Sequence, residues 1–230
     1  MKRIIFALML AVMIASTAYS SEYPVLGMCT ANYVRYRDEP GTDSEILGRI
    51  HDYQNVIVLG EKRHKGTKWY RIDNPLEEGE AWVSSQYIEV YVPEGISKRL
   101  YAMKVKIMQN FGIRPEKTRV LLGKPNRVKK DKFYFEPSEK NLREETLNYN
   151  GCVLQYIEDS LSTVEVTNED YAFGDIHIGD SKQAVFDELG KPEGETETDS
   201  WLYMINDLEQ INFEFKNDSL VRMSWEHYLD

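Results

Sequence analysis

The chain has 230 residues, with 38 Asp or Glu against 28 Lys or Arg and a net charge of −10 at pH 7. Removing Lys2 and Arg3 with the leader described next leaves 26 basic residues against the 38 acidic ones, a net charge of about −12. That excess argues against nucleic acid and anionic lipid as partners, and two cysteines with four scattered histidines give no zinc spacing.

Residues 1–20 read as an export signal. Lys2 and Arg3 give a positive start, residues 4–15 are almost unbroken apolar, and Ala18-Tyr19-Ser20 offers small residues before a cut at Ser21. The apolar run falls short of the about 20 residues that span a bilayer, although an uncleaved anchor is the rival reading. A lipoprotein would need a small residue before Cys29, where Met28 stands. No later stretch is apolar enough to span a membrane. The mature chain is therefore expected to be exported, periplasmic or otherwise associated with the envelope.

Residues 21–92 read as the first domain. Val34-Arg35-Tyr36-Arg37 leads into a polar loop with Pro40-Gly41, and Ile46-Leu47-Gly48-Arg49-Ile50 is a short strand. Val56-Ile57-Val58-Leu59-Gly60 is a second, expected to be buried on both faces. Residues 61–68 form a charged hairpin tip carrying Gly66, and Trp69-Tyr70-Arg71-Ile72 and Ala81-Trp82-Val83 return. Five short strands at this spacing predict a small barrel.

These residues resemble the bacterial Src-homology-3-like family. The matching positions are Tyr36-Arg37, Pro40-Gly41, Leu47-Gly48, the apolar strand ending at Gly60, Trp69-Tyr70, and Gly79-Glu80-Ala81-Trp82-Val83-Ser84-Ser85-Gln86-Tyr87-Ile88. The acidic insert at residues 73–80 departs from the family's tighter turn. The resemblance implies binding of peptides or peptidoglycan in the envelope. Tyr36, Trp69, Tyr70, Trp82 and Tyr87 are the candidate contacts, because aromatic rings give flat amphipathic area at little entropy cost. The alternative for each ring is a place in the barrel core. Tyr36, beside the polar loop, is the expected surface residue.

After a linker at residues 92–95, Leu122-Gly123-Lys124-Pro125 recurs as Leu189-Gly190-Lys191-Pro192. Each copy reads as a short helix ended by Gly, then Pro. An extra helix is expected at residues 101–111. In the second copy Asp180 or Ser181 can cap the helix, and Val185 and Leu189 share its buried face. Trp201-Leu202-Tyr203-Met204, residues 210–216 and residues 220–225 follow as antiparallel strands around an Asn217-Asp218 turn. The first copy offers strands at residues 133–135, 145–149, 152–157 and 161–166. The predicted fold class is thus α+β: a small all-β SH3-like barrel, then a duplicated helix-plus-antiparallel-sheet domain at residues 97–170 and 171–230, its two sheets expected to join side by side because each copy alone is short of core. Ile176-His177-Ile178-Gly179-Asp180-Ser181, with Leu-Gly-Lys-Pro and paired aromatic strands, resembles the superfamily containing BamE and the β-lactamase inhibitory protein. That resemblance implies an exported, non-catalytic protein acting on other proteins.

Cys29 and Cys152 fall in different predicted domains. In an oxidising compartment they could pair and clamp the two, or stay as separate half-buried thiols. Cys152 follows Asn150-Gly151 and opens a strand, the wrong setting for a nucleophile, which sits at a helix start beside a base. His177 is expected to point out of a strand, and the basic run at residues 127–132 to be a solvated loop. No catalytic residue, metal or cofactor is expected. The function read from the sequence is an exported envelope binding protein for a cell-wall peptide or glycan, or for an envelope protein. The alternative is a component or regulator of a wall-hydrolase system, or an inhibitor of a secreted enzyme.

Overall fold

The computed structural model describes residues 23–90, 98–196 and 199–229. The export signal at residues 1–20 and the linker at residues 92–95 lie outside the described residues.

Seven strands form the first sheet: β1 (Val25–Cys29), β2 (Val34–Arg37), β3 (Ile46–Ile50), β4 (Asn55–His64), β5 (Thr67–Asp73), β6 (Glu80–Ser84) and β7 (Ile88–Val90), with a 3-10 turn at Ser85–Tyr87 before β7. Their order is β3-β2-β6-β5-β4-β1-β7. The sheet curls around one core that joins Val34 and Ile50 from one edge to Ile88 from the other, across Val58, Ile72 and Val83. The expected charged hairpin tip is narrower than the sequence suggested. β4 and β5 run on to His64 and Thr67, and only Lys65-Gly66 turns, both with positive φ.

Val56-Ile57-Val58 is buried on both faces as expected. Val56 and Val58 point into the barrel, whereas Ile57, with Leu26 of β1, belongs to a second and larger core. Alternation along a strand produces this split. The second core begins with helix α1 (Lys98–Phe111), whose Leu100, Met103, Val105, Ile107, Met108 and Phe111 are all buried. So many buried positions exceed a single stripe because α1 lies between the barrel and the sheet that follows. Tyr101 of α1 reaches back and accepts the Leu26 N–H at 2.8 Å.

Helix α2 (Pro115–Leu122) precedes β8 (Arg127–Phe135), β9 (Lys140–Tyr149), β10 (Cys152–Ile157) and β11 (Ser160–Val166). A small hairpin of β12 (Ala172–Phe173) and β13 (Ile176–His177) leads to helix α3 (Lys182–Leu189) and to β14 (Gly194–Glu195), β15 (Ser200–Asn206), β16 (Glu209–Lys216) and β17 (Ser219–His227). Ser181 caps α3 by accepting the Ala184 N–H at 3.2 Å, while Asp180 accepts the His177 N–H at 2.8 Å. Gly123 and Gly190 end α2 and α3 at φ 77° and 85°, the conformation in which a Cβ is penalised. Asn217 and Asp218 make the predicted turn at φ 53° and 62°.

The fold-class expectation is overturned. Among the described residues strands make up 52% and helices 18%, with three sheets and three α-helices, so the architecture is mainly β and not a duplicated helix-plus-sheet α+β domain. One antiparallel sheet of order β14-β15-β16-β17-β11-β10-β9-β8 runs through residues 127–227. Its seam is β11 against β17, from Thr163 opposite Glu226 to Val166 opposite Met223. The physical reason is burial. Neither set of strands holds enough apolar surface to stand alone, so Leu154, Val164, Ile211, Phe213 and Trp225 share one core with the three helices. The basic run at residues 127–132 is also corrected: it is part of an edge strand, not a loop.

Candidate functional site

The five aromatic candidates do not form one surface. Tyr36 is 0% exposed, and its hydroxyl has no hydrogen-bond partner. This corrects its expected surface role. Along β2, Val34 and Tyr36 share the inward face, and nearness to a polar loop does not change that alternation. The ring lies across Gly48, its partner on β3, where any Cβ would collide with it. Burial pushes its phenol up, opposed by the charge of Arg114. Trp69 is also buried. Tyr70 and Trp82 are half-buried, with Lys68 Nζ 4.9 Å above the Tyr70 ring. Tyr87 alone is well exposed, at 39%.

Tyr87 marks a surface that the sequence reading missed. At one end of the barrel the loop before β2, the turn between β3 and β4 and the 3-10 turn are tied together. Cys29 N–H donates to the Gln54 carbonyl at 2.9 Å, Tyr53 N–H to the Cys29 carbonyl at 2.9 Å, and Thr30 N–H to the Tyr87 carbonyl at 3.0 Å. The same end presents Tyr33 and Tyr53, 66% and 74% exposed. The Tyr33 ring stands edge-on to His51 with centroids 4.8 Å apart. Both tyrosines hold left-handed backbone, φ 60° and 62°, a conformation that costs a residue with a Cβ about 1–2 kcal/mol. Strain of that kind collects where a surface has a task. A sequence signal existed: Tyr33 and Tyr53 follow Asn32 and Asp52, turn-forming residues, so their rings stand where the chain must bend at the surface.

The acidic insert has a definite place. Lys117 of α2 has a side chain only 3% exposed, and its Nζ donates to Asp73 Oδ1 and to the Glu77 carbonyl, each at 2.8 Å. Asn74 Oδ1 shapes the insert by accepting the Leu76 and Glu77 N–H groups. Residues 73–80 therefore tie the barrel to the second region. Between the two, a crevice lined by Gln54, Asn55, Met108 and Arg114 has a volume of about 10 Å³, room for about one water. Burial raises the Asp73 carboxyl above its ordinary value, with the Lys117 bond opposing that shift.

Cys29 and Cys152 are free and buried, so the bridge between them is not made. The thiols sit in separate cores, Cys29 in the barrel and Cys152 in the larger one. Burial pushes Cys152 up to about 12 and also raises Cys29, leaving little nucleophilic thiolate near neutral pH. His177 is exposed beside buried Ile176, as alternation required. Among the described residues, no group of three His, Cys, Asp or Glu could hold a metal ion, and no helix is long and apolar enough to cross a membrane.

Residues 32–89 match the family model of the bacterial SH3 domain. A solved structure of an extracellular protein containing an SCP domain, from Bacillus anthracis str. Ames, is similar to the chain at 11% identity with a TM-score of 0.38, over 60% of this chain and 48% of that one. That likeness is too distant to bear on fold or function. No curated protein matches the chain.

Proposed function

We propose that the bacterial SH3 domain at residues 32–89 serves an exported, non-catalytic envelope protein as its ligand-binding module. On this reading, Tyr33, Tyr53 and Tyr87 contact a cell-wall peptide or glycan. The carrying observation is the barrel end, where three exposed tyrosines stand on interlocked loops and two hold left-handed backbone. Export is supported by the charged start, apolar run and small residues of positions 1–20. Rigid tyrosine rings suit sugars and extended peptides because they present apolar faces and a polar tip with few rotatable bonds.

Co-sedimentation of the mature protein with purified peptidoglycan tests this. The wild type is expected to pellet with the polymer. The Tyr33→Ala/Tyr53→Ala pair should stay largely in solution, since aromatic anchors of this kind contribute about 2 kcal/mol or more each. Equal retention of both proteins, or of neither, would sink the assignment.

A further inference from the structure

The eight-stranded sheet ends at β8, and among the described residues no strand pairs with its outer side. Arg143, opposite Lys132, spends its own N–H on the Glu158 carboxylate at 2.6 Å and its carbonyl on the Glu158 N–H at 3.0 Å. Both point toward β10, so the N–H and C=O of Lys132 point away from β9. Alternation then gives Val128, Lys130, Lys132 and Tyr134 the outward backbone groups. Asp131 Oδ1 already accepts the Lys132 N–H at 2.9 Å. A carboxylate oxygen thus stands where the carbonyl of an added strand would.

The edge is cationic in an acidic chain. Arg127, Lys129, Lys130 and Lys132 lie on it with Asp131 as the one acid, while the whole chain carries −10. Val128 and Tyr134, both exposed, frame Lys130 and Lys132 on one face, with Lys129 on the other. Edge lysines deter unwanted strand pairing, including pairing with a second copy, because lysine would face lysine. The same charges favour a strand of opposite sign.

We infer that β8 is a docking edge for an acidic, extended segment of a partner protein, which adds as a ninth strand. Main-chain bonds to Lys130 and Lys132 supply register, and glutamates or aspartates beside the lysines supply selection. An anionic polymer would use the charges but not the backbone groups, which is why a strand is favoured. This surface is separate from the barrel end, and its test is independent of that assignment.

The probe is a fluorescein-labelled heptapeptide, Ile-Glu-Val-Glu-Ile-Glu-Val, titrated against the mature protein by anisotropy. The control is the same peptide with alternate amides N-methylated. Binding of the first peptide and loss with the second is expected, together with slowed hydrogen exchange at Lys130 and Lys132. Lys129→Glu/Lys132→Glu should weaken binding tenfold or more, and Lys129→Arg/Lys132→Arg should keep it. Lys132→Pro, which removes an outward N–H and no ladder bond, should weaken it while circular dichroism stays unchanged. Asp131→Ala should tighten it severalfold. Equal binding of the methylated peptide, or equal competition by polyphosphate against Lys132→Pro and wild type, would show a simple charge patch and overturn the inference. So would no binding at 50 mM salt.

Discussion

Replacing Lys117 by Met tests how the barrel is held to the rest of the chain. Methionine keeps most of the volume and removes the charge. Asp73, whose side chain is 23% exposed, then keeps a largely desolvated carboxylate without its cation, and the Glu77 carbonyl loses its donor. Removing one partner of a buried pair costs about 3–5 kcal/mol. Asp73 retains some contact with water, which places the expectation near the lower end, about 3 kcal/mol at pH 7. The loss should depend on pH in a definite direction. Burial already raises the Asp73 carboxyl above its ordinary value, so the folded state holds that proton more tightly than the unfolded one. A raised carboxyl opposes folding increasingly as pH rises through its folded value, and relaxes as pH falls. The deficit of Lys117→Met should therefore shrink as pH falls from 7 through the raised folded value and Asp73 takes up a proton. Adding Asp73→Asn to Lys117→Met should recover most of it at pH 7. Urea titrations followed by tryptophan fluorescence measure the wild type and both variants. A deficit below about 1 kcal/mol at pH 7, the range of exposed ion pairs, or one that grows toward pH 5, would refute the reasoning.

Glu209 gives the opposite pH signature. It is buried, and burial alone would raise its carboxyl, but bonds from His227 at 2.7 Å and Lys104 at 2.6 Å outweigh that and hold it below its ordinary value. Glu209→Gln should cost about 3 kcal/mol at pH 7, and the difference from wild type should vanish as pH falls through the depressed folded value, beneath the ordinary carboxylate range, by urea midpoint. Gly48→Ala should cost about 2–3 kcal/mol because the Tyr36 ring cannot move aside, read as a lower thermal midpoint. Tyr53→Gly should raise stability by up to about 1 kcal/mol by relieving left-handed backbone while lowering peptidoglycan retention. A variant that loses both would place Tyr53 in packing instead. Neither Cys29 nor Cys152 should react with a thiol reagent until the chain is unfolded, and rapid labelling of the native protein would contradict their burial.

Local rules carried the strands and helices well. The boundaries of β10, the cap and end of α3, and the Asn217-Asp218 turn follow from alternation, a Ser before a helix and a Gly after it. β1 escaped notice because Val25-Leu26-Gly27-Met28-Cys29 is almost wholly buried, so it shows no polar alternation to read. Residues 127–132 passed for a loop because an edge strand exposed on both faces has the composition of one. Tyr36 was misplaced by weighting its neighbour in sequence over its face. That the two sets of strands join is legible in how little core each holds, but the choice of β11 against β17 pairs residues far apart in the chain, and no local pattern encodes it. Tyr33 and Tyr53 were legible in principle, but only to a reader asking what an aromatic residue does inside a turn.

The position of β1 bears on how this molecule can be dissected. Val25–Cys29 precedes residues 32–89, which alone match the SH3 domain, yet in space it is the stave between β4 and β7. A fragment trimmed to the matched residues would lack that stave and open the wall along its length. One extended to include it would still carry Leu26 and Ile57 bare, their cover having gone with α1. Excised pieces of this chain would therefore tend to clump, and studies of ligand capture belong on the entire mature polypeptide.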